Sequence, residues 1–286
     1  CVSVPVKQEE ITTVSVSETS DINENTEQLE YKSNGNGTCI VTGMGTYTDS
    51  RLVIPSRNPD GEIVVSVGEK AFGWNSDITS VEIPSSVKTI GFQAFDGCEN
   101  LVDVYIPYSV TTVEGSAFSY TKWYDNLPDG EVYINNTLYR YKGTAPENTQ
   151  IVVKDGTTRI AGYTFWNQSN IVSIELPQTL TNIEHGAFEG CTQLSSILIP
   201  KNVAFIGCSA FAKCTGLMEV ICLAPTPPIA GVSANPSPSD WMFAGVDVAN
   251  VLLYVPMESI ELYRNADQWK DFQIRVYYGS EECHEY

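Results

Sequence analysis

Ala-Phe pairs recur at Ala71-Phe72, Ala94-Phe95, Ala117-Phe118, Ala187-Phe188 and Ala210-Phe211, and the phenylalanines step by 23 residues (95 − 72, 118 − 95 and 211 − 188). Thr164-Phe165 is a degenerate copy, because 188 − 165 is again 23. Prolines keep the same step from Pro84 to Pro107 and from Pro177 to Pro200. So do the aliphatics Val67, Ile90 and Val113, then Ile160, Ile183 and Ile206. Several residue types locked to one period mark a chain built of stacked units, and this constrains its fold more than any other feature.

Within a unit, Leu101, Val104 and Ile106 alternate with Asp103 and Tyr105, the period of a half-buried strand. Pro107 ends that strand because it has no N–H to give a ladder. Val110 and Val113 open a second short segment, with Ala117-Phe118 in a turn or single helical turn beneath it. One unit alone buries almost nothing, whereas stacked units bury continuous columns of Ile, Val, Ala and Phe. The spacing therefore predicts a repeat solenoid, a mainly β right-handed superhelix of 23-residue repeats with short helical turns and a C-terminal capping segment.

Residues 31–228 are assigned to the solenoid, with a degenerate repeat or hairpin at about 119–150. Phe118 to Phe165 is 47 residues, or 2 × 23 + 1, so that stretch is expected to occupy one turn of the array without a domain break. Asn135-Asn136 is the expected hairpin reversal. Leu52-Val53-Ile54-Pro55 also fits the strand, and the turn cluster Asn58-Pro59-Asp60-Gly61 absorbs extra residues before Pro84. The array is expected to stop near Cys222–Pro228. Residues 229–286 then form a loop and a strand-helix cap, with Val251–Pro256 as strand and Glu258 to Asp271 as an amphipathic helix presenting Ile260, Leu262, Tyr263, Trp269 and Phe272.

Charge narrows the partners. Sixteen basic against 35 acidic residues leave −19 over 286 residues, which argues against nucleic acid and against docking on anionic lipid through protein charge. No apolar run approaches the roughly 18 residues needed to span a bilayer. About −5 of the total lies in residues 1–34, with seven acidic and two basic side chains, so the acidity reads mainly as a solubility feature. Residues 1–30 read as a flexible tether, because residues 2–30 have no aromatic and too little apolar surface to offset ordering. A chain opening on Cys1 ahead of such a stretch resembles a bacterial lipoprotein after signal removal, with Cys1 the site of lipid attachment. The alternative is an arbitrary boundary that falls on Cys.

The unit L-x-x-V-x-I-P-x-S-V-x-x-I-x-x-x-A-F-x-G-C resembles the BspA-like leucine-rich repeat of bacterial cell surfaces. Residues 78–101, 171–194 and 194–217 match it closely, and the resemblance spans roughly 31–225. It implies an extracellular protein, lipid-anchored or secreted, with adhesion to host proteins or other cells among the family's roles. It does not name a ligand, because a scaffold hosts many functions.

Catalytic residues are scarce. Of two histidines, His185 falls at a variable position expected to be exposed and His284 lies in the tail; no H-E-x-x-H, P-loop or G-x-S-x-G occurs. Carboxylates at repeat positions, such as Glu82 and Glu175, read as solvated rather than as a hydrolytic pair. Cys98, Cys191 and Cys214 share one repeat phase and read as inert core thiols. Cys208, out of phase, is a disulfide candidate with Cys222 or Cys214, while Cys39 and Cys283 have no assigned place. Paired C-x-x-C spacing is missing, so neither a metal nor a cofactor is expected.

Binding is the default for a solenoid with an extended, variable strand face. The outward column before the last strand aliphatic reads Glu82, Tyr105, Val152, Glu175, Leu198 and Ile221. The degenerate turn adds Trp123, Tyr124, Tyr133, Tyr139 and Tyr141, residue types that anchor proteins or sugars when exposed. The expected function is non-enzymatic recognition or adhesion by a monomer, which binds a host or bacterial surface protein through these residues and touches membrane only through a lipid on Cys1. A glycan- or mucin-binding accessory and a passive envelope spacer are the alternatives.

Overall fold

The computed structural model describes residues 28–231 and 237–279; Cys1, the expected tether up to residue 27, Cys283 and His284 lie outside the described residues. The described chain divides into two compact units, one running to Pro128 and including Val132–Asn135, the other made of Asp129–Glu131 and the chain from Asn136 onward.

The first unit contains β1 (Glu30–Ser33), β2 (Thr38–Gly43), β3 (Arg51–Val53), β4 (Ile63–Val67), β5 (Ser80–Glu82), β6 (Thr89–Ile90), β7 (Asp103–Tyr105), β8 (Thr112–Val113) and α1 (Lys122–Asp125). Each 23-residue repeat delivers one strand to each of two sheets, ordered β1-β2-β4-β6-β8 and β3-β5-β7. All neighbours are parallel except the opening hairpin β1-β2. The expected alternation holds: Leu101 and Ile106 are buried, Val104 is half-buried, and Asp103 and Tyr105 face water. Thr121 starts α1 by accepting from the Tyr124 N–H at 3.1 Å, while its hydroxyl donates to the Phe118 carbonyl at 2.8 Å.

Strand β9 (Gly130–Ile134) and β10 (Thr137–Lys142) flank Asn135-Asn136, with Asn135 at φ +52°, a conformation Asn tolerates. The second unit continues with β11 (Thr149–Val152), β12 (Arg159–Ile160), β13 (Ile171–Glu175), β14 (Asn182–Ile183), β15 (Ser196–Ile199), β16 (Phe205–Ile206), β17 (Glu219–Cys222), β18 (Ile229–Ala230), β19 (Leu252–Val255), α2 (Ile260–Asn265) and β20 (Gln273–Val276). Its parallel ladders run β10-β12-β14-β16-β18, β11-β13 and β15-β17-β19-β20.

The Ala-Phe motif builds the centre of each unit. Phe72, Phe95 and Phe118 stack at 5.3 and 5.2 Å, and Phe165, Phe188 and Phe211 at 5.4 and 5.1 Å. Two left-handed residues bracket the motif, at Lys70 and Trp74, Gln93 and Gly97, Ser116 and Tyr120, Tyr163 and Asn167, Gly186 and Gly190, and Ser209 and Lys213. The buried thiols of Cys98, Cys191 and Cys214 donate to the carbonyls of Phe72, Phe165 and Phe188, which explains why one repeat phase holds cysteine.

Three expectations are corrected. The array does not stop near Cys222–Pro228: β18 pairs with β16, and Phe243 stacks on Phe211 at 5.2 Å, so the ladder and the aromatic column both run on. Phe211 to Phe243 is 32 residues, so the Pro- and Ser-rich stretch adds 9 residues to a turn rather than ending the series. The C-terminal helix covers Ile260–Asn265 alone, because Tyr263 and Trp269, six apart, would not share a helix face. The chain leaves the helix after Asn265, and Trp269 and Phe272 close on Phe243 at 5.7 and 4.9 Å, leaving Leu262 exposed. No disulfide joins Cys208 to Cys214 or Cys222: all six described cysteines are free, and Cys222 accepts from the Tyr263 hydroxyl at 3.1 Å.

Candidate recognition surfaces

The outward column of the first unit is held in register by β3, β5 and β7, which align Arg51 with Ser80 and Asp103, and Val53 with Glu82 and Tyr105. Alternation sends these side chains away from the core. Arg51, Ser80, Glu82, Asp103 and Tyr105, with the strand centres Val81 and Val104, line an open groove of about 320 Å³. The Arg51 guanidinium donates to Glu82 at 3.1 Å, and Tyr105 stays 48% exposed. The groove therefore offers a cation, two carboxylates and an aromatic ring on a rigid sheet.

In the second unit the same column reads Val152 and Glu175, both exposed, and then Leu198 and Ile221, both half-exposed. Register sets Leu198 beside Ile221, and Ile221 beside Tyr254 of β19, so the apolar stripe crosses into the closing turns.

None of the candidate aromatics of the degenerate turn is fully exposed. Tyr139 is fully buried, a correction to its candidacy, because β10 turns it into the core. Trp123 is half-buried with its ring 5.0 Å from Phe118, in the first unit's aromatic column. Tyr141 is half-buried 6.0 Å from Phe165, and burial raises its hydroxyl pKa. Tyr124 and Tyr133 are half-buried.

His185 is likewise not an exposed residue. It bridges Cys208, 2.6 Å from Nδ1, and the Tyr163 hydroxyl at Nε2, each one repeat away. A thiol beside an imidazole is the pairing used in nucleophilic catalysis. Burial first, then the Asp240 charge, raise the Cys208 pKa, which disfavours the thiolate that such chemistry uses. Among the described residues no cluster of three or more His, Cys, Asp or Glu could hold a metal ion, and no helix is long and apolar enough to cross a membrane.

Sequence reasoning missed several large exposed aromatics, among them Trp74 and Tyr120, 71% and 70% exposed, and Tyr108 and Tyr278. The signal for Trp74 and Tyr120 was present in the repeat arithmetic: each follows the Ala of its pair by three, and they lie 46 residues, two periods, apart.

The chain matches the family described as the BspA type leucine rich repeat region in six copies, over residues 65–140 and 132–226. No curated protein matches it. Among solved structures, the leucine-rich-repeat protein TpLRR of T. pallidum is 26% identical, with 66% of this chain and 88% of that one covered and a TM-score of 0.41. A leucine-rich repeat protein from Bacteroides ovatus is 20% identical, covering 82% and 70%, with a TM-score of 0.39. A leucine rich cell surface protein from Faecalibacterium prausnitzii is 16% identical, covering 89% and 94%, with a TM-score of 0.31.

Proposed function

Because the chain belongs to the BspA-type leucine-rich-repeat family, we propose that it is a non-catalytic recognition protein of the bacterial surface that binds a host or neighbouring-cell protein through the outward strand face of its first unit. The observation behind this reading is the groove lined by Arg51, Glu82, Asp103 and Tyr105. A protein segment laid across parallel strands meets residues fixed in register, and Tyr and Arg are the types that anchor interfaces. The Arg51–Glu82 pair is exposed, so it adds little to stability and is free to re-pair with a partner's charges. Two carboxylates against one guanidinium favour a partner segment with basic character.

The test is binding of the purified chain to immobilised extracellular-matrix proteins and mucin, compared with Tyr105→Ala and Glu82→Lys. Support is binding by the wild type that falls about tenfold or more in either variant, a loss of about 1.4 kcal/mol. Equal binding by all three proteins removes the groove from the reading, and no binding to any surface removes the reading itself.

A further inference from the structure

The Trp74 indole lies flat on Gly97: a Cβ built on that glycine would come within 2.6–3.1 Å of three adjacent indole atoms. Its plane is within 24° of the Tyr120 ring, with centroids 6.5 Å apart. Two aromatic side chains from turns two repeats apart thus come together, the indole lying on the glycine of the turn between them. Neither adds to the core, since both are more than two-thirds in water.

Their backbone is that of the repeat: Trp74 and Tyr120 have φ of +62° and +55°, at the left-handed position that Gly97, Asn167, Gly190 and Lys213 occupy in other turns. A bulky residue in left-handed conformation is disfavoured by its own Cβ, so glycine can replace either ring without backbone cost. A polar row runs along the same three turns: Asn100, three residues after Gly97, donates to the Ser76 carbonyl at 2.9 Å, and Lys122, two residues after Tyr120, donates to the Asn100 side-chain oxygen at 2.8 Å. Asn100 and Lys122 are exposed.

We propose that Trp74 and Tyr120, across Gly97, form a saccharide-binding platform, with Asn100 and Lys122 as its hydroxyl-binding edge. The electron-rich face of an aromatic ring attracts the weakly positive C–H bonds on one face of a pyranose, and amide and ammonium groups bind the hydroxyls at its rim. Near-parallel rings present flat area, which suits a sugar face. A cation also binds over a single aromatic face, so choline is the control that separates the two ligand classes. This site is separate from the strand-face groove, and its test does not depend on that reading.

The whole chain is screened against immobilised gluco-, manno-, xylo- and chito-oligosaccharides, with choline as the cationic control, and positives are titrated calorimetrically. Trp74→Gly and Tyr120→Gly place at each position the residue its backbone prefers, so both variants keep the fold, as circular dichroism checks. The expected result is binding of at least one saccharide, weakened about tenfold or more in each variant and unchanged in Tyr105→Ala. No saccharide bound, equal binding by the glycine variants, or retention of choline alone overturns the proposal.

Discussion

The Cys191 thiol donates to the Phe165 carbonyl 3.3 Å away, one turn back along the array, and the same bond recurs from Cys214 to Phe188 and from Cys98 to Phe72. Burial pushes the Cys98 thiol up to about 11 and Cys214 up to about 12, and raises Cys191 as well. Thiolate is the reactive form, so these groups are inert on two counts, access and protonation. Iodoacetamide at pH 8 should leave Cys98, Cys191, Cys214 and Cys222 unmodified in the native protein, while half-buried Cys208 reacts slowly. Peptide mass mapping reads the result; Cys191 labelled as fast as a free thiol contradicts it.

Phe188 lies in mid-column, 5.4 Å from Phe165 and 5.1 Å from Phe211, and is fully buried. Phe188→Ala opens a cavity between two turns and should lower unfolding free energy by about 3–5 kcal/mol. Phe188→Leu, which keeps most of the volume, should cost roughly half as much or less. Denaturant midpoints at constant m-value measure both.

Gly97 has φ +72° and no room for a methyl group under the Trp74 ring. Gly97→Ala should destabilise by about 1–3 kcal/mol, through backbone strain and displacement of the indole. Removing that ring with Trp74→Gly relieves the clash but not the strain. The double variant should therefore be more stable than the sum of the single effects, with a coupling of about 0.5 kcal/mol or more. A strictly additive cycle would show that the ring and the glycine do not touch.

Asp96 is 3% exposed, and its Oδ1 has no partner among the described residues. Desolvation raises its pKa, so the folded chain holds this proton more tightly than the unfolded chain does. The charged carboxylate then subtracts stability at neutral pH, and the deficit disappears as pH falls through the folded value and then the ordinary carboxylate range. Asp96→Asn should raise the melting temperature at pH 7, by an amount that shrinks toward zero on acidification. A gain that stays constant with pH would rule out ionisation as its cause.

The repeat was legible because each buried column is local arithmetic: Ile83 and Ile106, or Phe95 and Phe118, need only the period and the alternation of a strand. The candidate residues Glu82 and Tyr105 were legible for the same reason, as outward positions of predicted strands that β5 and β7 confirm as neighbours. Tyr139 was not, because an aromatic in a hairpin strand faces core or water according to a register that one irregular turn does not reveal. The end of the array was misread because the nine extra residues before Phe243 hide the period without breaking the stack.

Sequence alone determined the unit length, the strand that ends at each proline and the apolar columns, because these follow from covalent order and local sterics. Tertiary structure decided which distant side chains share a surface. Trp74 and Tyr120 meet because successive turns stack about 5 Å apart, as their phenylalanines do at 5.3 and 5.2 Å, and because the turn between them places a glycine beneath the indole. Left-handed backbone at both residues aims the rings outward, a torsional choice that composition does not encode and that the packed array enforces.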